Sequence, residues 1–223
     1  MSEWWTYRPG DLLMVSLRVY ERLFVLHNQA LWPAQWLALA LGAGLLLALW
    51  HPAAGRLRLA LPVLAVAWVF VGWAFLWQRY APVNWGIRYL VPLFALQALL
   101  LLVMVMGRGA RVPASRRGAS RWPGLGLVAY AVFVHPLTAL LRGHGLAGAE
   151  VIGLAPDPLA IATLGLAVLV QPARHGWVLL VIPSLWCLTS AATLQLLGAP
   201  GAWLPLAAVV IAVVARCLPP GRA

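Results

Sequence analysis

Residues 31–50 read LWPAQWLALALGAGLLLALW, and no charged side chain interrupts this stretch. A run of about 20 apolar residues is what an α-helix needs to cross the roughly 30 Å hydrocarbon core of a bilayer. The rest of the chain has the same character, because hydrophobic residues make up 63% of its 223 residues and charged residues only 9%. A soluble domain carries roughly 25% charged residues. The composition therefore predicts a protein that uses lipid as its solvent.

Six further apolar stretches follow, separated by short segments rich in Pro and Gly. The predicted fold is all-α, a polytopic transmembrane helical bundle of seven spans, with an N-terminal segment at 1–30 and one transmembrane domain at 31–223. Because Pro156-Asp157-Pro158 interrupts the fifth span, that span either crosses fully or is re-entrant. The spans are predicted at about 31–50, 57–77, 87–106, 123–142, 151–171, 176–197 and 201–218.

Residues 11–28, DLLMVSLRVYERLFVLHN, have a different pattern from the spans. Asp11 can cap a helix here, and apolar residues recur on one helical face while arginines lie on another. Such an amphipathic helix is predicted to rest in the membrane interface, with Trp4 and Trp5 at headgroup depth. The apolar face comprises Leu13, Leu17, Tyr20, Phe24 and His27.

The basic charge of the chain indicates membrane topology. The chain has 16 Lys and Arg residues, all of them Arg, against five acids, and its net charge is +11. In a soluble protein this balance would suggest nucleic acid, but the arginines lie in short loops between the spans. Ten of them and no acid fall on the side that holds the C-terminus, which predicts the N-terminus outside and the C-terminus inside. No nucleic-acid partner is expected.

The 107–122 loop, GRGARVPASRRGASRW, contributes most to this bias with five arginines. It is interpreted as a topology anchor that contacts anionic lipids through Arg108 to Arg121, and the alternative is a docking patch for a partner protein. The tryptophans support the same layout, because an aromatic belt is typical of both membrane interfaces. Those expected at the two boundaries are Trp32, Trp36, Trp77, Trp85 and Trp203 outside and Trp50, Trp122 and Trp177 inside.

Spans one to three can be aligned with spans five to seven. Leu61-Pro62 then matches Ile182-Pro183, and Val91-Pro92-Leu93 matches Leu204-Pro205-Leu206. A fourth span between two three-helix units lets both units point the same way, which gives a 3+1+3 parallel repeat. The alternative is that prolines, of which the chain has 17, fall near the starts of spans by chance.

Two ionisable residues are candidates for a site inside the bilayer. Asp157 either caps the fifth span with Pro158 at its first position or binds a proton or cation, and the two roles are compatible. His135 precedes Pro136 in the fourth span, where the proline kinks the helix. Its imidazole either relays a proton or is hydrogen-bonded to a neighbouring helix.

The loop between the second and third spans is a third candidate. Tyr80, Asn84, Trp85 and Arg88 form either a vestibule for an anion or small ligand or a turn with interfacial anchors. Small hydroxyl residues in the sixth span, beside a tryptophan and a cysteine, are interpreted as packing residues. They are Ser184, Thr189, Ser190 and Thr193, with Trp186 and Cys187.

Catalytic constellations are missing from the sequence. There is no set of Ser, His and acid, no paired carboxylates and no phosphate-binding Gly loop, so the protein is not expected to be an enzyme. One histidine in the spans does not make a metal site, and Cys187 and Cys217 are too far apart in sequence for a thiolate motif. We therefore expect no cofactor and no metal.

Three segments resemble an uncharacterised family of small bacterial multi-pass inner-membrane proteins, a domain of unknown function whose members are sometimes labelled permease. The first is the opening region, Ser2 to Arg8 together with Asp11 to Leu13 and Leu31 to Gln35; the second is Gln78 to Trp85, and the third is Gly153 to Gly165. The resemblance implies a bacterial cytoplasmic membrane. Two functions stay open: a small-solute or ion transporter with its site between two three-helix halves, or a non-catalytic subunit or assembly factor of a membrane complex, with protein partners or as a homo-oligomer.

Overall fold

The computed structural model describes residues 15–51, 54–107, 112, 121–141 and 145–218. The all-α prediction is confirmed, because no strand forms among these residues, and residues 152 and 155 make only an isolated bridge. Asp11, the tryptophans before it and most of the Arg108–Arg121 loop lie outside the described residues. The α-helices are α1 (Leu17–Ala30), α2 (Ala34–Trp50), α3 (Ala54–Phe70), α4 (Val91–Met106), α5 (Arg121–Ala129), α6 (Thr138–Leu141), α7 (Pro156–Leu169), α8 (Ala173–Leu196) and α9 (Leu204–Cys217).

Irregular helix extends or interrupts three of these elements. The helix α3 continues as a π-helix over Val71–Tyr80, and a 3-10 turn, Trp85–Tyr89, leads into α4. The helix α5 passes through a π turn, Tyr130–Val134, and a 3-10 turn, His135–Leu137, before α6. A further 3-10 turn lies at Gly145–Gly148.

Within the described residues, four helical stretches are long and apolar enough to cross a membrane: Arg58–Tyr80, Trp85–Met106, Arg121–Leu141 and Ala173–Leu196. They coincide within a few residues with four of the predicted spans. The other three predicted spans, 31–50, 151–171 and 201–218, are not confirmed as spans of full length. They form the shorter helices α2, with 17 residues, and α7 and α9, with 14 residues each. If α1 and α2 together count as one bent span, the described residues hold five.

The helix α1 lies across the end of the bundle, bent by 95° from α2. Its first turn is capped by Ser16, whose hydroxyl accepts from the Val19 amide at 3.4 Å. The apolar face predicted for this helix is confirmed in its described part, where Tyr20, Phe24 and His27 are buried. Phe24 stacks on Phe75 of the π-helix with ring centroids 4.7 Å apart, which fixes α1 against the bundle.

The burial of His27 makes the stability of the protein depend on pH. Its side chain is buried at 3% exposure, and burial, with a smaller contribution from the nearby Arg79 guanidinium, lowers its pKa from 6.5 to about 4. Between these values the unfolded chain binds more protons than the folded one, so stability is fully present above pH 6.5 and falls as the pH falls towards 4. We expect the melting temperature in detergent to drop by several degrees across this window. In His27→Gln we expect the melting temperature to fall less over the same pH range, because the buried imidazole is gone. If the melting temperature of this variant falls as much as that of the wild type, His27 is not a source of the pH dependence.

The centre of the bundle is α7, which packs against α5, α8 and α9 and is buried at every one of its 14 residues. Its length is about 21 Å, shorter than the hydrocarbon core. The predicted span 151–171 is thus not one continuous helix, because α7 begins only at Pro156 and the chain before it is irregular and buried. The 3+1+3 repeat finds no support in the packing, since α7 is enclosed while its counterpart α2 exposes much of its surface.

Two arginines that the sequence places at the inner side bind the ends of helices. Arg121 donates to the carbonyl oxygen of Trp50 at 2.7 Å. Arg216 donates to the carbonyl oxygens of Val168 at 2.9 Å and Ala173 at 2.7 Å. Trp50 and Val168 lie at the C-terminal ends of α2 and α7. The last carbonyls of a helix have no partner within it and carry its negative dipole end, so a guanidinium satisfies both needs. The Ala173 carbonyl belongs instead to the first residue of α8, so Arg216 also joins the end of α7 to the start of α8.

Candidate functional site

Three ionisable side chains meet in the interior of the bundle: His135, Glu150 and Asp157. One nitrogen or oxygen of each lies within 4.8 Å of those of the other two. The residues are exposed by only 0%, 2% and 1%, so this His–Glu–Asp cluster has almost no contact with the surface. Nε2 of His135 lies 3.4 Å from Oε2 of Glu150. The structure thus brings the two candidates Asp157 and His135 together and adds a carboxylate.

Asp157 is held by two donors from α8. Trp186 donates through Nε1 to Oδ1, and Ser190 donates through Oγ to Oδ2, both at 2.7 Å. The capping role predicted for Asp157 is wrong, because Ala155 is the N-cap and Pro156 and Asp157 occupy the first turn. The carboxylate still lies at the positive end of the α7 dipole, which favours a negative charge there.

His135 lies where the helix that begins as α5 changes from a π turn to a 3-10 turn. Pro136 cannot donate a backbone hydrogen bond, so the regular helix breaks at this point. The Thr138 hydroxyl donates to the His135 carbonyl oxygen at 2.7 Å and fixes the local bend. Nδ1 of His135 is buried without a hydrogen-bond partner among the described residues, and Nε2 has only the 3.4 Å contact with Glu150.

Glu150 comes from the irregular segment 149–155 that precedes α7. Asn28 at the end of α1 holds the start of this segment, because its Nδ2 donates to the carbonyl oxygens of Ala147 at 3.0 Å and Ala149 at 2.8 Å. Gly153 then adopts a φ of 79°, a left-handed conformation that favours glycine. The turn that it allows carries the chain from Glu150 to Asp157 within one buried stretch.

Sequence reasoning missed Glu150, Trp186 and Ser190 as members of the site. The predicted topology places Glu150, like the other four acids, on the outer side of the membrane. The apolar residues on both sides of it are nevertheless a sign of burial. Trp186 and Ser190 are four residues apart and therefore share one face of α8. Trp186 and Ser190 are two hydrogen-bond donors on one face of an apolar helix. In a chain with Asp157 as its candidate intramembrane acid, such a pair indicates a hydrogen-bonded carboxylate.

The loop candidates divide into an inner and an outer pair. Tyr80 is buried at 2% exposure, and the side chains of Asn84 and Thr193 lie near its hydroxyl. Asn84 also caps the 3-10 turn by accepting from the Gly86 amide at 3.2 Å. Trp85 and Arg88 lie apart from the cluster. Trp85 is 56% exposed, and the Arg88 guanidinium lies 5.7 Å from the centre of the exposed Trp77 ring.

The chemistry of the cluster follows from its burial. Two carboxylates and one imidazole lie in an apolar interior, where an uncompensated charge costs several kcal/mol or more. Both carboxylate oxygens of Asp157 already accept a hydrogen bond, from Trp186 and Ser190. A cation between the three side chains would balance the carboxylates, so the arrangement is suited to a small cation.

A groove of about 1010 Å³ lies between α2 and α3, outside the cluster. Its walls are aliphatic, and His51 and Arg56 are its charged or ionisable lining residues. Ile152, Gly153 and Leu154 form part of the wall. The segment that joins Glu150 to Asp157 therefore contributes to one wall of the apolar groove.

A sequence model of the family of unknown function DUF6064 matches residues 18–218, so the chain belongs to that family. No curated protein and no solved structure matches the chain.

Proposed function

We propose that this member of the DUF6064 family is a multi-pass membrane protein that transports a small ion, and that the His–Glu–Asp cluster is its ion-binding site. The observation that carries the proposal is the convergence of His135, Glu150 and Asp157 within 4.8 Å, in an interior that is mostly apolar. Ionisable groups inside a membrane protein are costly and mark ion and proton pathways. An ion fits this compact site better than the small solute that the sequence left open.

The helices around the site support transport. Ion sites in transporters are built near interrupted helices, where unwound backbone and helix ends face the ion. Here α7 begins beside the ion site after the irregular segment 149–155, and the helix that begins as α5 changes its hydrogen-bonding pattern at residues 130–137. Such irregular backbone is tolerated at membrane depth only where protein or a water-filled cavity surrounds it. π segments of this kind are also frequent at functional sites.

A chain of polar side chains leads from the site towards the loop at residues 81–90. From Asp157 it passes Ser190, Thr193 and Tyr80 and reaches Asn84, which is only partly buried. On α8 it covers the stretch from Ser190 to Thr193, about 4.5 Å along the axis. We assign this side as the entry for the ion, and in the predicted topology it is the outer side of a bacterial inner membrane.

The test is ion flux into liposomes that contain the purified full chain. Fluorescent indicators would report H⁺, Na⁺, K⁺, Mg²⁺, Mn²⁺ and Zn²⁺ in turn. We expect saturable flux of at least one ion, and we expect His135→Gln to lower it at least about tenfold, equivalent to about 1.4 kcal/mol. His27→Gln is the matched control, because it removes another buried histidine outside the cluster and should retain flux. Wild-type liposomes that pass no more of any ion than protein-free liposomes would refute transport.

A further inference from the structure

We infer that the ion of this site is a divalent first-row transition-metal ion, held by His135, Glu150 and Asp157. The inference deepens the proposed function and rests on it for the role of the site. Metal binding itself can be measured separately from transport.

The types of donor select the class of ion. The cluster offers one imidazole nitrogen and carboxylate oxygens from two residues. Hard ions such as Mg²⁺ and Ca²⁺ prefer oxygen ligands alone, whereas imidazole suits Zn²⁺, Cu²⁺, Ni²⁺ and iron. A mixed set of nitrogen and carboxylate oxygen is common to zinc sites and to non-haem iron sites.

The spacing also fits a metal ion better than a direct ion pair. Charge-assisted hydrogen bonds from nitrogen to a carboxylate are about 2.7–2.9 Å long, but Nε2 of His135 lies 3.4 Å from Oε2 of Glu150. Two ligands that each lie about 2.0–2.1 Å from a tetrahedral zinc ion are about 3.3 Å apart. The observed separation is therefore that of two neighbouring ligands.

The imidazole of His135 has room for such a bond. It is fully buried, and Nε2, the nitrogen that faces Glu150, has only the long contact with Oε2 of that residue. Buried polar groups in proteins nearly always have a partner. A buried ring without a strong hydrogen bond points to a missing ligand.

Charge balance selects a divalent ion. Two carboxylates carry two negative charges, which a divalent ion neutralises while His135 binds in its neutral form. A monovalent ion beside a neutral His135 would leave one negative charge in the apolar interior, and such a charge is costly. Trp186 and Ser190 complete the site by fixing the orientation of the Asp157 carboxylate, as residues behind the ligands do in other metal sites.

The experiment measures binding of Zn²⁺, Mn²⁺ and Co²⁺ to the full chain in nanodiscs after treatment with a chelator. Bound metal is quantified after gel filtration, and the visible spectrum of Co²⁺ reports the geometry of its ligands. We expect one ion per chain, and we expect His135→Gln and Glu150→Gln to weaken Zn²⁺ binding at least about 100-fold. Ser190→Ala is the milder variant, for which the loss of a residue behind the ligands predicts a decrease of about 10-fold.

His27→Gln and Glu21→Gln are the matched controls, because they change a buried histidine and a buried glutamate outside the cluster. Both should bind one ion with wild-type affinity. Binding that survives unchanged in His135→Gln and Glu150→Gln, or no binding to the wild-type chain, would overturn the inference.

Two combined outcomes separate the inference from the proposed function. Metal binding that depends on the cluster, without flux of any ion, would support the metal site and refute transport. Flux of H⁺ or Na⁺ that depends on His135, without metal binding, would support transport and refute the metal site.

Discussion

Replacing Gly165 by Ala is expected to destabilise the protein by roughly 3 kcal/mol, at the upper end of the usual cost of overpacking. A Cβ atom at this position would lie 2.6 Å from the carbonyl oxygen of Gly124 and 2.8 Å from a methyl group of Val128. Gly165 belongs to α7 and Gly124 to α5, so the backbones of the two helices touch where they cross. A backbone oxygen cannot move aside as a flexible side chain can, so the helices would have to separate. Small residues permit this kind of close approach in membrane proteins.

Gly126→Ala is the matched control, because Gly126 lies on the same α5 and a Cβ there would meet nothing within 4 Å. Alanine is a better helix former than glycine, so this variant should be as stable as the wild type or slightly more so. The measurement is thermal unfolding in detergent, followed by tryptophan fluorescence, with gel filtration to detect aggregation. If the two variants melt at the same temperature, the α5–α7 crossing is not as close as the structure shows.

The sequence predicts the helical class and the peripheral helices well for a simple physical reason. Lengths of apolar runs and the positions of Pro and Gly determine where helices begin and end, and the buried face of α1 follows from its periodicity. The central position of α7 could not be predicted in the same way. Lipid tails are as apolar as a protein core, so a helix that is hydrophobic on all sides reads the same in either environment.

The site shows a similar division. Asp157 and His135 stand out in the sequence because ionisable residues in apolar runs are rare and conspicuous. Glu150 does not, because its role depends on the turn at Gly153 and on Asn28 of α1, which is more than one hundred residues away and holds the backbone just before Glu150. Contacts of that range depend on the packing of helices, and no local pattern encodes them.

Replacing Asp157 by Asn is expected to abolish ion binding and flux while leaving the fold intact. The amide has the shape of the carboxylate, and its oxygen can still accept from Nε1 of Trp186. Its NH₂ group would face Ser190, whose hydroxyl can rotate from donating to accepting. The variant loses the negative charge and one ligand atom, so we expect metal affinity to fall at least about 100-fold, or about 2.7 kcal/mol.

Asp157→Asn should lower ion binding and flux without lowering the stability of the metal-free protein. Enclosing a carboxylate in an apolar interior costs free energy in the protein without its ion, so its removal should leave the metal-free melting temperature unchanged or raise it. Added Zn²⁺ should then stabilise the wild-type protein, because an ion that binds only the folded state raises its stability, and should not stabilise the variant. The contrary result is a metal-free variant that melts well below the wild type. In that case the carboxylate serves mainly as a hydrogen-bond acceptor for Trp186 and Ser190. Its role would then be to hold α7 against α8, and not to bind an ion.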